Sequence, residues 1–171
     1  MTASFTPNSS QWGTVLGPRL PGFAASDIVQ GAAVCLASNN SVLGGFQFQM
    51  CASSSQKPVG IARDYAIAGN PVSIFVDGNI PRINVGGNGA GGSVGQYDYI
   101  GLVGTSTMVH PQSGVTVTFG ALGKVSGTAS QAVGLGAAAV WAVGVAYEAA
   151  FPGDFSAFRI EPRTLSGGVN N

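Results

Sequence analysis

Val59-Gly60-Ile61-Ala62-Arg63-Asp64-Tyr65-Ala66-Ile67-Ala68-Gly69-Asn70 returns, ungapped, as Val143-Gly144-Val145-Ala146-Tyr147-Glu148-Ala149-Ala150-Phe151-Pro152-Gly153-Asp154, each residue 84 positions on (59 to 143). An internal repeat of this kind says that the chain is built from copies of one structural unit. Val-Gly-Ile/Val-Ala reads as a strand, and a connector ending in Gly-Asn or Gly-Asp leads to a second strand. Gly60 and Gly144, inside strands, call for a close backbone approach or a sharp bend. Gly69 and Gly153 stand where a turn needs positive φ, and Asn70 and Asp154 are turn residues. The copied positions are small and apolar, which points to architecture before catalysis. Asp64 and Glu148 recur as well, and acids in such connectors are normally exposed.

Outward from the repeat, glycine (27) and proline (9) punctuate short strand-like runs in a chain of 171 residues, with no pattern for a helix of several turns. The fold class is all-β, a small barrel or sandwich with an internal pseudo-repeat and little helix. Residues 27–83 and 93–162 form the two units, and the glycine-rich stretch 86–92 joins them. Phe46, Phe48 and Met50 alternate onto one strand face. Tyr99-Ile100-Gly101-Leu102-Val103 corresponds to Val34-Cys35-Leu36 at a different spacing, 66 residues (34 to 100), because the intervening loops differ in length. Residues 1–26 carry three prolines and sparse apolar anchors, and read as an extended arm that lies on its own domain, a neighbour or a partner. Its anchors are Phe5, Trp12, Val15, Leu16, Leu20 and Phe23. Residues 163–171 read as a tail.

Composition narrows the function classes. Charged residues are 8 %, seven basic against seven acidic, where an average soluble domain has about 25 %. So little charge protects a free monomer poorly against association, so much of the surface is expected to be covered by other copies or a partner. The scattered basic residues give no footprint for nucleic acid. No apolar run approaches the ~20 residues of a membrane-spanning helix, and the first residues lack the pattern of a secretory leader, so synthesis in a cytoplasm is expected. His110, the single histidine, precedes Pro111 with no nucleophile motif to serve. Residues 86–92 lack the Gly-Lys-Ser/Thr ending of a phosphate loop. Cys35 and Cys51 read as buried thiols; sequence alone leaves a disulfide open. No Cys/His spacing suggests zinc, and Asp77-Gly78-Asn79 reads as a turn before it reads as a calcium loop. No enzyme, cofactor or metal is expected.

The segments Asp27 to Leu36, Pro58 to Gly78 and Ala142 to Pro162 resemble the small capsid decoration, or cement, proteins of tailed bacteriophages. The most characteristic piece is Gly144-Val145-Ala146-Tyr147-Glu148-Ala149 followed by Gly153-Asp154. The resemblance implies a β-rich, non-enzymatic virion protein that binds the outside of a capsid as a homotrimer, with a terminal arm reaching the major capsid protein. The chain is longer than the simplest members, with two copies of the motif. A second expectation of a different class is a glycan- or receptor-binding β module of the head-fibre type, with Trp12, Trp141, Tyr97 and Tyr99 as a sugar platform.

Overall fold

A computed structural model describes residues 18–37, 45–85, 93–126 and 140–165. They form ten strands and no helix: β1 (Arg19–Ala24), β2 (Ala33–Leu36), β3 (Gln47–Met50), β4 (Gly60–Ala62), β5 (Pro71–Phe75), β6 (Arg82–Asn84), β7 (Tyr99–Val109), β8 (Thr116–Ser126), β9 (Val140–Ala146) and β10 (Phe155–Leu165). The fold is all-β. Strands β1 to β5 close into a barrel in the order β1-β3-β2-β4-β5, and β6 to β10 form an open sheet in the order β6-β10-β9-β7-β8. Read from its other edge, the open sheet repeats the barrel order strand for strand.

The registers make this equivalence residue-specific. Val34 lies opposite Gly60, and Ile100 lies opposite Gly144, so the 66-residue correspondence of β2 with β7 is real in three dimensions. Isolated bridges join Ile28 to Ala66 and Val94 to Ala150, again 66 and 84 residues apart. Phe23 pairs with Pro71 and Asn84 with Phe155, equating β1 with β6. Leu36 pairs with Phe48 and Leu102 with Leu122, equating β3 with β8.

The repeated glycines explain why both copies keep them. A Cβ on Gly60 would stand 2.0 Å from the Phe75 carbonyl oxygen, and one on Gly144 would stand 2.0 Å from that of Arg159. Only a residue without Cβ lets the neighbouring strand come this close. Gly69 and Gly153 have φ of 84° and 91°, the left-handed region that glycine enters freely. Gly69 N donates to Ala24 O, and Gly153 N donates to Val85 O. Each glycine turn therefore ties its connector to the C-terminal end of β1 or to the residue just after β6.

Strand alternation divides the core in two. Val72 and Ile74 of β5, Val34 of β2, Ala62 of β4 and Phe48 of β3 fill the barrel interior. Met50 packs against this cluster, while Phe46 is exposed. The alternate residues Ala33, Cys35, Ile61 and Phe75 face outward and join a second cluster with Ile100, Leu122, Val143, Phe158 and Ile160 of the open sheet. The outer face of the barrel is thus covered by the inner face of the sheet. Each fully buried Phe or Ile contributes about 1.5–3 kcal/mol relative to exposure.

Three boundaries differ from the sequence reading. Arg19–Ala24, assigned to an extended arm, is a barrel strand paired with β5 on one side and, in parallel, with β3 on the other. Pro21 lacks an amide but is exposed, and the strand still closes the barrel. Residues 82–83, placed in the first unit, pair with β10 of the second. Arg163 to Leu165, placed in a tail, pair with β9 after a shift in register beyond Ile160. The glycine-rich joint 86–92 lies outside the described residues.

Candidate interaction surfaces

Of the six proposed arm anchors, Phe5, Trp12, Val15 and Leu16 lie outside the described residues. Leu20 packs on the barrel interior, and Phe23, half-buried, donates its amide to Phe46 O at 2.8 Å. These two side chains belong to the barrel and not to a free arm. Asn70 and Asp154 are exposed beside their glycine turns.

The recurring acids have unlike partners. Asp64 has one oxygen 3.9 Å from Arg63 Nε. Glu148 accepts from Arg82 Nη2 at 2.5 Å, and its carbonyl accepts from the buried Ser156 hydroxyl at 2.8 Å. That hydroxyl would be costly to bury without a partner. Arg163 pairs with Glu161. Asn79, in the Asp77-Gly78-Asn79 turn, is buried and donates to Pro18 O and Val76 O, both at 2.8 Å. Among the described residues no group of three His, Cys, Asp or Glu side chains converges on a metal position.

Cys35 and Cys51 are free thiols, both buried. The hydrogen bond from Cys51 holds the Cys35 thiol down at about 7, and that bond, with burial, pushes Cys51 up. Burial keeps the pair from solvent.

His110 is fully buried at the tip of the β7–β8 hairpin. Its Nε2 donates to Ile28 O at 2.9 Å, and Nδ1 accepts long bonds from the amides of Gln112 and Ser113 at 3.4 and 3.3 Å. The Tyr65 ring meets the imidazole edge-on at 5.6 Å. Ser113 Oγ donates to Asp27 Oδ2 at 2.5 Å. That bond and one from the Ala68 amide hold the Asp27 carboxyl below its usual range. The hairpin of the second unit is therefore clasped onto the end loops of the first. Under it lies a cleft of about 200 Å³, with Gln30, Tyr65, Asn84, Met108, Leu122 and Phe155 in its walls. In the barrel, the matching place is occupied by the parallel pairing of β1 with β3.

Two proposed platform aromatics are engaged by cations. Lys57 Nζ stands over the Trp141 ring at 5.4 Å. Arg163 stands over Tyr99 at 5.3 Å and donates to its hydroxyl at 2.8 Å. Trp12 lies outside the described residues, and Tyr97 is open to solvent. Among the described residues the large hydrophobic side chains that stand exposed are Leu36, Phe46, Tyr97, Val109, Val115, Tyr147 and Phe151. Leu36 and Phe46 flank the β2–β3 hairpin, Val109 and Val115 flank the tip of the β7–β8 hairpin, and the other three sit on the end loops of the second unit.

Tyr97 is the one non-glycine with positive φ among the described residues, at 68°; its counterpart 66 residues earlier is Gly31, at 83°. A bulky side chain in this region costs roughly 1–2 kcal/mol, and such strain clusters at functional surfaces. Tyr147 and Phe151 stand where the first unit has Arg63 and Ile67, 84 residues earlier. The sequence reading passed over Tyr147 and Phe151, although the aligned repeat already displays the exchange to aromatic residues. No known protein-family model matches the chain, and no curated protein shows significant similarity to it.

Proposed function

We propose that the chain is a structural virion protein that binds the outer surface of a phage capsid and stabilises contacts between major capsid protein subunits. In this reading it acts as a homotrimer, without enzymatic activity, and is made in the host cytoplasm. The observation that carries the reading is the combination of exposed large hydrophobics (Phe151 is 72 % exposed, Val109 62 %, Tyr97 61 %) with a chain only 8 % charged. Large exposed apolar patches mark interaction surfaces, and a surface with so little charge protects a free monomer poorly against association. The segments that resemble cement proteins, Asp27 to Leu36, Pro58 to Gly78 and Ala142 to Pro162, hold β2 and the β4–β5 and β9–β10 frames, which supply turns and packing. Stapling requires such a frame: several modest contacts to neighbouring subunits sum by multivalency.

The test is co-sedimentation of the purified chain with expanded capsids that lack it, followed by heating. Saturable binding and a higher temperature of genome release are expected. Failure to bind such capsids overturns the reading. The glycan-binding alternative is favoured by Tyr97 alone, because Trp141 and Tyr99 already carry cations on their rings; specific binding on a glycan array would revive it.

A further inference from the structure

The cleft under the β7–β8 hairpin lies where the two units differ in closure. In the barrel, β1 pairs with β5 on one edge and β3 on the other, and the Phe23 ring stands 3.4 Å from the place a Cβ on Gly45 would take. In the second unit, among the described residues, β6 pairs with β10 alone. The counterpart of Phe23 is Asn84, and that of Pro71 is Phe155. Gly45 stands three residues before Phe48, as Phe119 stands before Leu122, so its counterpart is Phe119. A ring among small neighbours has become a short amide with rings beside it. All three replacements line the cleft.

The lining defines what the cleft can hold. No charged side chain contributes to it, so an ion there would lose its hydration without a partner. Met108, Phe119 and Phe155 are half-buried, with apolar surface left to cover. The polar groups are incompletely engaged. Gln30 Nε2 donates to Arg63 O at 3.0 Å, and Asn84 Nδ2 donates to Gly153 O at 2.7 Å. Their side-chain oxygens accept nothing among the described residues, and the Tyr65 hydroxyl has no hydrogen-bond partner among them. Burial pushes the Tyr65 phenol up, so the group stays a neutral O–H. An engineered cavity of about 150 Å³ holds benzene, and about 200 Å³ admits one aromatic ring with a small substituent. An apolar pocket with a few unspent polar groups is the usual form of a small-molecule site.

We infer that the cleft between the two units binds a small neutral aromatic molecule carrying one hydroxyl or amide group. Phe119, Phe155 and Met108 enclose the ring. The Tyr65 hydroxyl and the Gln30 and Asn84 side-chain oxygens offer one donor and two acceptors to the polar substituent. The walls come from the first unit's end loop, the β7–β8 hairpin and the β6–β10 pair, so an occupant touches both units and stabilises the clasp between them. The inference goes beyond the capsid reading and does not rest on it.

The test is an NMR titration of the labelled full chain with phenol, toluene and benzoate, run on the parent and two variants. Phenol should move the amides of Gly31, Gly120, Ala121 and Leu122 saturably, in the millimolar range or tighter, and benzoate should leave them in place. Tyr65→Phe keeps the ring against His110 and removes only the hydroxyl. It should melt like the parent, bind toluene like the parent, and bind phenol about three- to tenfold more weakly. Met108→Trp fills the cleft and should abolish binding; if it does not fold, Tyr65→Phe still decides. No saturable shift with phenol, shifts confined to other residues, benzoate binding as tightly as phenol, or a Tyr65→Phe chain that holds phenol like the parent overturns the inference. A chain that takes up neither ring, yet loses capsid attachment in Met108→Trp, would show that the cleft receives a partner's side chain, which overturns it equally.

Discussion

Alanine at Gly144 should cost far more than alanine at Gly153, although the two glycines belong to the same repeated motif. At Gly144 an added Cβ would lie 2.0 Å from Arg159 O and 2.8 Å from Phe158 Cδ2. A methyl carbon and a carbonyl oxygen need about 3.4 Å, so β9 and β10 must part by more than ~1 Å. Gly144 pairs with Ile160 on one side and Ile100 on the other, so the shift weakens hydrogen bonds in the centre of the sheet. Two weakened bonds at about 1 kcal/mol each, with overpacking of about 1–3 kcal/mol, give roughly 3–5 kcal/mol. At Gly153 nothing lies within 4 Å of the added Cβ, and the cost is the left-handed backbone, about 1–2 kcal/mol, reduced by about 0.5 kcal/mol through lost freedom of the unfolded chain. For a domain of this size each kcal/mol moves Tm by about 2–4 °C, so drops of roughly 6–20 °C and roughly 1–6 °C are expected in thermal melts followed by circular dichroism. Gly60→Ala should match Gly144→Ala, because its Cβ meets Phe75 O at the same 2.0 Å. If Gly144→Ala melts within a degree of Gly153→Ala, the close-approach account of the repeat is wrong.

Three other outcomes follow from particular contacts. His110→Ala removes a fully buried ring and leaves Ile28 O without its donor, so it should destabilise by roughly 2–4 kcal/mol and speed hydrogen exchange in the β7–β8 hairpin tip before the barrel strands. The Asp27 carboxyl titrates below its usual value because Ser113 and the Ala68 amide bond its ionised form. Its contribution is therefore present above the unfolded value near 3.9 and fades as pH falls through the lower folded value. The fall in Tm between pH 6 and pH 3 should be smaller in Asp27→Asn than in the parent, by an amount worth under about 1 kcal/mol at this largely solvated site, and equal falls would count against the clasp. Deleting residues 1–17 should leave the melting transition in place, whereas deleting residues 1–24 removes β1 and should collapse it; equal effects would show that β1 does not close the barrel.

The parts of this fold that were legible in the sequence are those where backbone geometry restricts residue type. Gly60 and Gly144 announce themselves because a Cβ does not fit the close approach, and Gly69 and Gly153 because other residues take their φ only at a cost. The spacing of Val34 to Ile100 was legible because both lie in short apolar runs that precede the repeated motif. Strand β1 was not legible: Arg-Leu-Pro-Gly-Phe-Ala has a proline and a glycine where strand propensity is poor, and its stability comes from pairing on both edges. Its counterpart, Arg-Ile-Asn of β6, shares little with it, since each is shaped by different neighbours. The clasp of His110 on Ile28 joins residues 82 positions apart, and a hydrogen bond to a backbone carbonyl leaves no mark on the acceptor's residue type. The Asp27–Ser113 bond is hidden for a related reason: either residue alone reads as an ordinary turn former.

The difference between the two units accounts for how they pack on one another within the chain. With the same strand order, the first unit closes because Phe23 and Ala24 run parallel to Gln47 and Phe48. The counterparts Asn84 and Val85 make no such pairing with Ala121 and Leu122 among the described residues; Asn84, Ala121 and Leu122 instead line the cleft beneath the hairpin. Opening the second unit frees its inner face, with Ile100, Leu122, Phe158 and Ile160, to cover the outer face of the barrel. It also lets β7 and β8 lengthen to 11 residues each and reach the first unit's end loops. A second closed barrel would have buried its apolar residues internally and left the two units joined by little more than the linker. The open unit is thus the one that covers its neighbour within the chain, and its own end loops, with Tyr97, Tyr147 and Phe151, stand exposed.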